Sequence, residues 1–276
     1  MKRILTLCAL LGAVTTGFAQ TDTTAKQMPD TIKIGGMIII REPGKEGETE
    51  NKRERIFRIS RRNADKPSNV STNWWILDLG FANYNDQTNY ADAAAQAIAP
   101  GSNEDWLKLR PGKSRSVNVW IFMQRLNVAK HIVNLKYGVG LELNNYHFED
   151  KSIRFSKNPT LIDKGYTDLS KNKLAADYLT VPVMLNFNFT PERRRSFGFS
   201  AGISAGYLYS SRQKIKADGD VDKVKGTFDL RKWKMSYVGE VSLGVVKLYG
   251  SYAFKSMFEK GLDLTPYTVG FRISSW

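Results

Sequence analysis

Between Val133 and Tyr146 the chain alternates without a slip. Val133, Leu135, Tyr137, Val139, Leu141 and Leu143 take one parity, and Asn134, Lys136, Gly138, Gly140, Glu142 and Asn144 the other. Successive strand side chains point to opposite faces, so this is a β-strand with one apolar and one polar environment. The pattern returns at Asn73–Tyr84, Val117–Gln124, Tyr178–Phe189, Phe197–Tyr209, Lys232–Val245, Leu248–Phe254 and Tyr267–Trp276. Amphipathic strands of about ten residues, spaced by turn signals, mark a transmembrane β-barrel. The pattern predicts an all-β fold, an eight-stranded antiparallel transmembrane β-barrel over residues 73–276.

Some strands read less cleanly. In the first, Trp75, Leu77, Leu79 and Phe81 share the outward face, leaving Trp74, Asp78, Gly80 and Ala82 inward. The tryptophan pair suits an interfacial aromatic girdle. In the second, Val119, Ile121 and Met123 oppose Asn118, Trp120 and Phe122, so the faces are poorly separated. Pro182 lacks a ladder donor, which predicts a local bulge. The inward face of Phe197–Tyr209 is Ser and Gly throughout, leaving room for bulky neighbours, and Ser at Gly202 is expected to be milder than Arg at the lipid-facing Leu141.

The connections alternate in length. Short turns near Asn127–His131, Pro191–Arg195 and Val246–Lys247 alternate with longer loops at Tyr84–Lys113, Phe148–Ala176, Arg212–Leu230 and Phe258–Leu264. With both termini periplasmic, every short turn falls inside and every longer loop outside, as bacterial barrels require. An Ala-rich stretch, Asp92–Ala99, reads as a short helix stopped by Pro100-Gly101.

The N-terminus adds an address. Met1-Lys2-Arg3, an apolar run from Ile4 to about Phe18, and Ala19-Gln20 read as a secretory signal peptide over residues 1–19. Lipoprotein processing at Cys8 is disfavoured, because Leu7 precedes it where a small residue is needed. Cys8 is the one cysteine, so the processed chain has no disulfide to form. Residues 20–72 read as a polar periplasmic extension, with Thr31–Arg41 and Arg55–Ser60 able to pair as a small hairpin. A basic cluster of Lys52, Arg53, Arg55, Arg58, Arg61, Arg62 and Lys66 precedes the first long strand. Removing Lys2 and Arg3 lowers the formal charge from +14 to +12. In an exported chain that excess points to anionic lipid headgroups or polysaccharide rather than nucleic acid. The expected location is the bacterial outer membrane, with its lipids and lipopolysaccharide as neighbours.

Six ionisable residues fall on inward positions: Asp78, Lys136, Glu142, Lys234, Glu240 and Arg272. An eight-stranded barrel is only just wide enough for its own side chains. A structural network among three acids and three bases is therefore predicted, the alternative being a narrow polar path for ions or protons. Asp218, Asp220, Asp222 and Asp229 have calcium-loop spacing, but Lys223 stands where that loop needs glycine, which favours a solvated loop. His131 falls in a short turn. His147, with Glu149, Asp150 and Ser152 nearby in sequence, is the one site for a lipid-modifying hydrolase, against the plainer reading of a belt residue. No cofactor, metal or catalytic group is expected.

The segments DWLKLRPGKSRSVNVWIF, NLKYGVGLELNNY, ADYLTVPVMLNFNF, SAGISAGYLYSSR, FDLRKWKMSYVGE and LYGSYAFKSMFEKGLDLTPYTVGFRISSW resemble the small outer-membrane β-barrel proteins of the Bacteroidota, the PorT-like group. The resemblance covers about Trp74 to Trp276 and implies fold and location rather than an activity. The last strand, ending on Trp276, resembles the signal read by the outer-membrane assembly machinery, although Trp276 falls out of phase with Ile273. The leading expectation is a non-enzymatic envelope scaffold that binds another envelope protein through its loops or N-terminal segment. A narrow channel for small or apolar solutes is the alternative, and a lipid-modifying barrel enzyme or a soluble ligand carrier stands behind both.

Overall fold

The computed structural model describes residues 30–34, 37–41, 60–61 and 68–274, apart from 158, 166–168, 192–196 and 218–219. The signal peptide with its Ala19 cleavage, Cys8, most of the basic cluster, Asp218 and Trp276 lie outside those residues. The chain forms two compact units, residues 1–66 and 67–276. In the first, β1 (Asp30–Ile34) pairs antiparallel with β2 (Met37–Arg41), and β3 (Ser60–Arg61) adds to β2. The hairpin thus lies within Asp30–Arg41, and of the second stretch, Arg55–Ser60, the one described residue is Ser60, in the short third strand.

The second unit contains β4 (Val70–Asp86), α1 (Ala93–Ile98), β5 (Arg115–Ala129), β6 (Val133–His147), β7 (Ile153–Phe155), β8 (Ile162–Lys164) and β9 (Leu169–Asn188). It continues with β10 (Phe197–Ala217), β11 (Asp220–Lys225), β12 (Trp233–Leu243), β13 (Val246–Ala253) and β14 (Leu264–Ile273). Eight strands close a ring in the order β10-β12-β13-β14-β4-β5-β6-β9, with β9 pairing back onto β10. Every pairing around it is antiparallel. A closed ring has no edge strand, so its backbone polar groups are paired between neighbouring strands rather than left open to lipid. On β6 the odd residues are partly exposed outward and the even ones are buried. Leu179, Val181, Val183 and Leu185 on β9, Phe189 just after it, and Tyr237, Val241 and Leu243 on β12 are likewise exposed, giving an apolar outer wall.

Four expectations change. First, Trp74 and Trp75 both point outward, because Trp75 is a bulge at φ 56° between the pairs Trp74↔Phe122 and Ile76↔Trp120. Second, β5 carries its own irregularity between Trp120 and Phe122, so Met123 turns inward and is fully buried while Phe122 turns out. The faces of β5 read poorly because one extra residue exchanges parity halfway along. Third, Pro182 makes no bulge. The β6–β9 ladder breaks between Tyr137↔Val183 and Gly140↔Thr180 but resumes in the same register. Fourth, the regions expected to be loops hold β-structure: β7 pairs with β8, β11 pairs with the extended end of β10, and β9 begins at Leu169.

Gly202 is also more constrained than expected. A Cβ there would lie 2.1 Å from the Val183 carbonyl oxygen and 2.6 Å from the Met184 Cα. The close approach of β9 needs glycine at that point. A serine there has to displace the β9 backbone, a cost that the polarity of the interior does not reveal.

Candidate functional site: packed lumen and outer cap

The polar parity of the strands brings all six inward ionisable residues into the lumen. Across the β14–β4 seam Arg272 stands directly opposite Asp78, and on the next strand Asn118 is opposite Asp78. Arg272 Nε donates to Asp78 Oδ1 at 2.7 Å, Arg272 Nη2 to Oδ2 at 2.7 Å, and Trp120 Nε1 to the same Oδ2 at 2.7 Å. Arg272 Nη1 also reaches Glu240 Oε2 at 2.5 Å. Glu240 then bridges the barrel: Lys136 Nζ donates to both its oxygens, at 2.8 and 2.7 Å. Glu142 pairs with Lys234, whose ammonium lies 4.6 Å from the centre of the Tyr178 ring. None of the six is more than 8 % exposed, so the charges are neutralised inside the wall rather than by solvent.

Three partners escaped the sequence reading. Trp120 and Asn118 complete the shell of Asp78, and Tyr178 supports Lys234. Trp120 and Asn118 share one parity of β5, which is the signal that points them inward. Below the network Ile76, Trp120, Met123 and Met184 form a small apolar cluster. Toward the short-turn end, a cavity of about 10 Å³ lies among Arg125, Lys136, Asn186, Glu240 and Lys247. That is room for about one water molecule.

Above the network the interior changes character. Tyr146, Tyr178, Leu174, Leu208 and Leu264 from the strand ends pack with Leu107, Phe148, Phe155, Ile162, Phe228 and Phe258 from the connections in one buried cluster. Phe155 stacks on Phe148 at 5.6 Å and meets Phe228 edge-on at 5.7 Å. Polar bonds tie the connections to each other. Arg110 N donates to the His147 carbonyl at 2.8 Å, Gln87 N to that of Asp263 at 2.9 Å, and Arg231 N to that of Met257 at 2.7 Å. Buried Gln213 on β10 accepts from Phe155 N and donates to the Ile153 carbonyl, each at 2.9 Å. The helix α1 is capped by Asp92 and rests on Gly261, whose φ of 72° and contact with Ile98 leave no space for a Cβ. The four connections at this end thus form a single cap with an apolar core.

The other candidate residues lie elsewhere. His147 points outward at the end of β6, and burial followed by Lys173, Lys171, Lys113 and Arg110 pushes its imidazole down to about 4. Asp150 is turned to Lys164 at 2.6 Å and to Ser152 at 2.5 Å. Burial would raise its carboxyl, but the hydrogen bonds from Lys164 and Ser152 hold it below the usual range. Asp150 is thus engaged by Lys164 and Ser152, and no hydrogen bond joins it to His147 among the described residues. Asp220 and Asp222 sit in the β10–β11 hairpin, and Asp229 in a turn at φ 51°. His131 occupies the β5–β6 turn at φ 57°.

The family described as outer membrane protein beta-barrel domain matches residues 79–259. Among solved structures, the attachment invasion locus protein Ail of Yersinia pestis is similar at 10% identity, covering 73% of this chain and 98% of that one with a TM-score of 0.30. No curated protein matches the chain.

Proposed function

Because the chain belongs to the outer membrane protein beta-barrel domain family, we propose that it is a non-enzymatic barrel whose closed cap is a rigid surface for contact with another envelope protein. The observation that carries this reading is the fusion of all four long connections into one apolar-cored unit. A conducting pore is served by a hydrated lumen and an open mouth. Here the lumen is occupied by paired charges and the mouth by aromatic packing. On this reading the chain is secreted with cleavage near Ala19, is inserted by the outer-membrane assembly machinery, and is a member of the PorT-like group of the Bacteroidota.

The test joins two measurements on the detergent-extracted protein. In planar bilayers the conductance is expected to be negligible. Photo-crosslinkers placed at exposed cap positions Glu104, Asp105 and Lys260 are expected to capture one envelope protein in cells, whereas a crosslinker on the lipid-facing Val241 is not. Measurable conductance would promote the channel reading instead.

A further inference from the structure

On one side of the barrel the outward face turns from apolar to basic along a line. Val117 on β5, Leu143 on β6, Leu179 on β9 and Tyr209 on β10 are the last apolar outward residues before it. Beyond them lie Arg115, His147, Lys171, Lys173, Arg212, Lys214 and Lys216, with Lys223 and Lys225 on β11. Lys173 is six residues past Leu179, about 20 Å along the strand and roughly 15 Å above the apolar boundary once tilt is included.

The register stacks these charges directly. His147 is opposite Lys173, Lys173 opposite Lys214, and Lys214 opposite Lys223. Lys171 is opposite Lys216, and Arg212 opposite Lys225. Like charges directly across a ladder repel, so a folded wall gains nothing internally from such rows. The carboxylate of Asp177 on this face is held by Arg212, while Lys173 donates to the neutral amide of Asn145. The Lys173 ammonium is accordingly pushed down to about 8, first by burial and then by Lys171, Lys214 and Arg212. Among the described residues the opposite arc carries no such rows. Its outward residues at this level include Asn83 and Asn85 on β4 and Tyr252 and Phe254 near β13, with Lys232 and Lys255 standing singly rather than in stacked rows.

We propose that this arc binds the phosphorylated sugar headgroups of glycolipids in the outer leaflet surrounding the barrel. A lipid whose chains lie on Leu143 and Leu179 brings its headgroup against Arg115, Lys173 and Arg212, and the upper lysine rows meet acidic groups further along the sugar. Continuity with the apolar wall selects a lipid rather than a soluble anion, and the lysines act as point charges that accept phosphates in many orientations. The inference goes beyond the proposed cap contact, which does not involve this face.

The full chain, reconstituted in bilayers containing lipid A with both phosphates, is compared with the same bilayers containing lipid A stripped of phosphate. Lipid A retained per barrel is the readout. Wild type is expected to retain the phosphorylated form selectively. A Lys173→Gln/Lys214→Gln/Lys223→Gln variant is expected to bind on the order of a hundredfold more weakly, since each basic residue near an anionic surface contributes roughly a factor of five. A Lys255→Gln variant, just past β13 on the opposite arc, is expected to match wild type. Equal retention of both lipid forms, or an unchanged triple variant, overturns the proposal. Displacement of lipid A by soluble pyrophosphate at equal phosphate concentration would identify a soluble anion and overturn the lipid assignment. If the triple variant fails to refold, the two lipid forms on wild type still decide the matter.

Discussion

Around Glu240 the barrel interior is held by charge, and around Phe155 it is held by carbon. In the first region each contact is directional and each member has assigned partners: Glu240 accepts from Lys136 and Arg272, and Asp78 from Arg272 and Trp120. In the second region the contacts are aromatic and aliphatic, and only their boundary is tied by hydrogen bonds. The difference is one of tolerance. An ion network specifies which strands face each other but suffers heavily from the loss of one member, because the remaining charge has no water to turn to. An apolar cluster is less specific, yields locally, and loses roughly what is cut from it.

The strongest break in that comparison is Glu240→Gln. It removes the carboxylate that Lys136 and Arg272 share and is expected to cost about 3–5 kcal/mol in urea refolding into vesicles. A loss below about 1 kcal/mol, the range of solvated pairs, would mean the lumen is wet. Phe155→Ala comes next, at about 3 kcal/mol, but the loss should stay in the cap. Hydrogen exchange and protease sensitivity should rise between residues 148 and 168 while the barrel keeps its heat-modifiable mobility on gels. Global unfolding with the same midpoint shift would show that cap and lumen are one cooperative unit. Gly202→Ser should cost about 1–3 kcal/mol through overpacking against Val183 and Met184. Glu142→Gln should be milder than Glu240→Gln, about 1–2 kcal/mol, because it removes one ion pair rather than two and Tyr178 still faces Lys234. A reversed order of the two glutamates would place the centre of the network at Lys234.

The smallest effect lies outside the wall, where charges crowd without matching acids. A lysine whose folded pKa is lowered binds its proton less tightly than the unfolded chain does. The resulting destabilisation is complete below about pH 8 and is relieved as pH rises from there toward the usual lysine value. Lysine NMR should find the Lys173 midpoint moved upward in a Lys171→Gln/Lys214→Gln variant. An unchanged midpoint would mean that burial alone sets it.

How far the sequence discloses this molecule depends on whether a feature is local. The parity of β6 is legible residue by residue, and with it the inward placement of Lys136 and Glu142. Trp75 and Ile121 are not legible, because a bulge leaves residue types unchanged and only shifts which parity faces inward. Pairing inside the lumen is less legible still. Lys136 and Glu240 are 104 residues apart, and only the strand order and stagger of the closed ring decide that they meet. The hairpins β7–β8 and β10–β11 hide in stretches rich in charge, since strands that leave the bilayer no longer need an apolar face. The cap is hidden for the opposite reason. Its aromatic residues are scattered singly through loops, and their common core exists only after the ring brings the loops together.

The seam between β14 and β4 has a consequence in time. Arg272 and its partner Asp78 are separated by 194 residues, so the acid is made early and its base arrives with the last strand. Such a long closure is slow, although its entropic cost grows only gradually with length. Throughout that interval the nascent sheet presents both an open edge and a carboxylate without its guanidinium. Neutrality and closure therefore come in one event, the docking of the final strand. The pair acts as a latch, and a chain that lacks its last strand cannot settle as a quiet, finished wall.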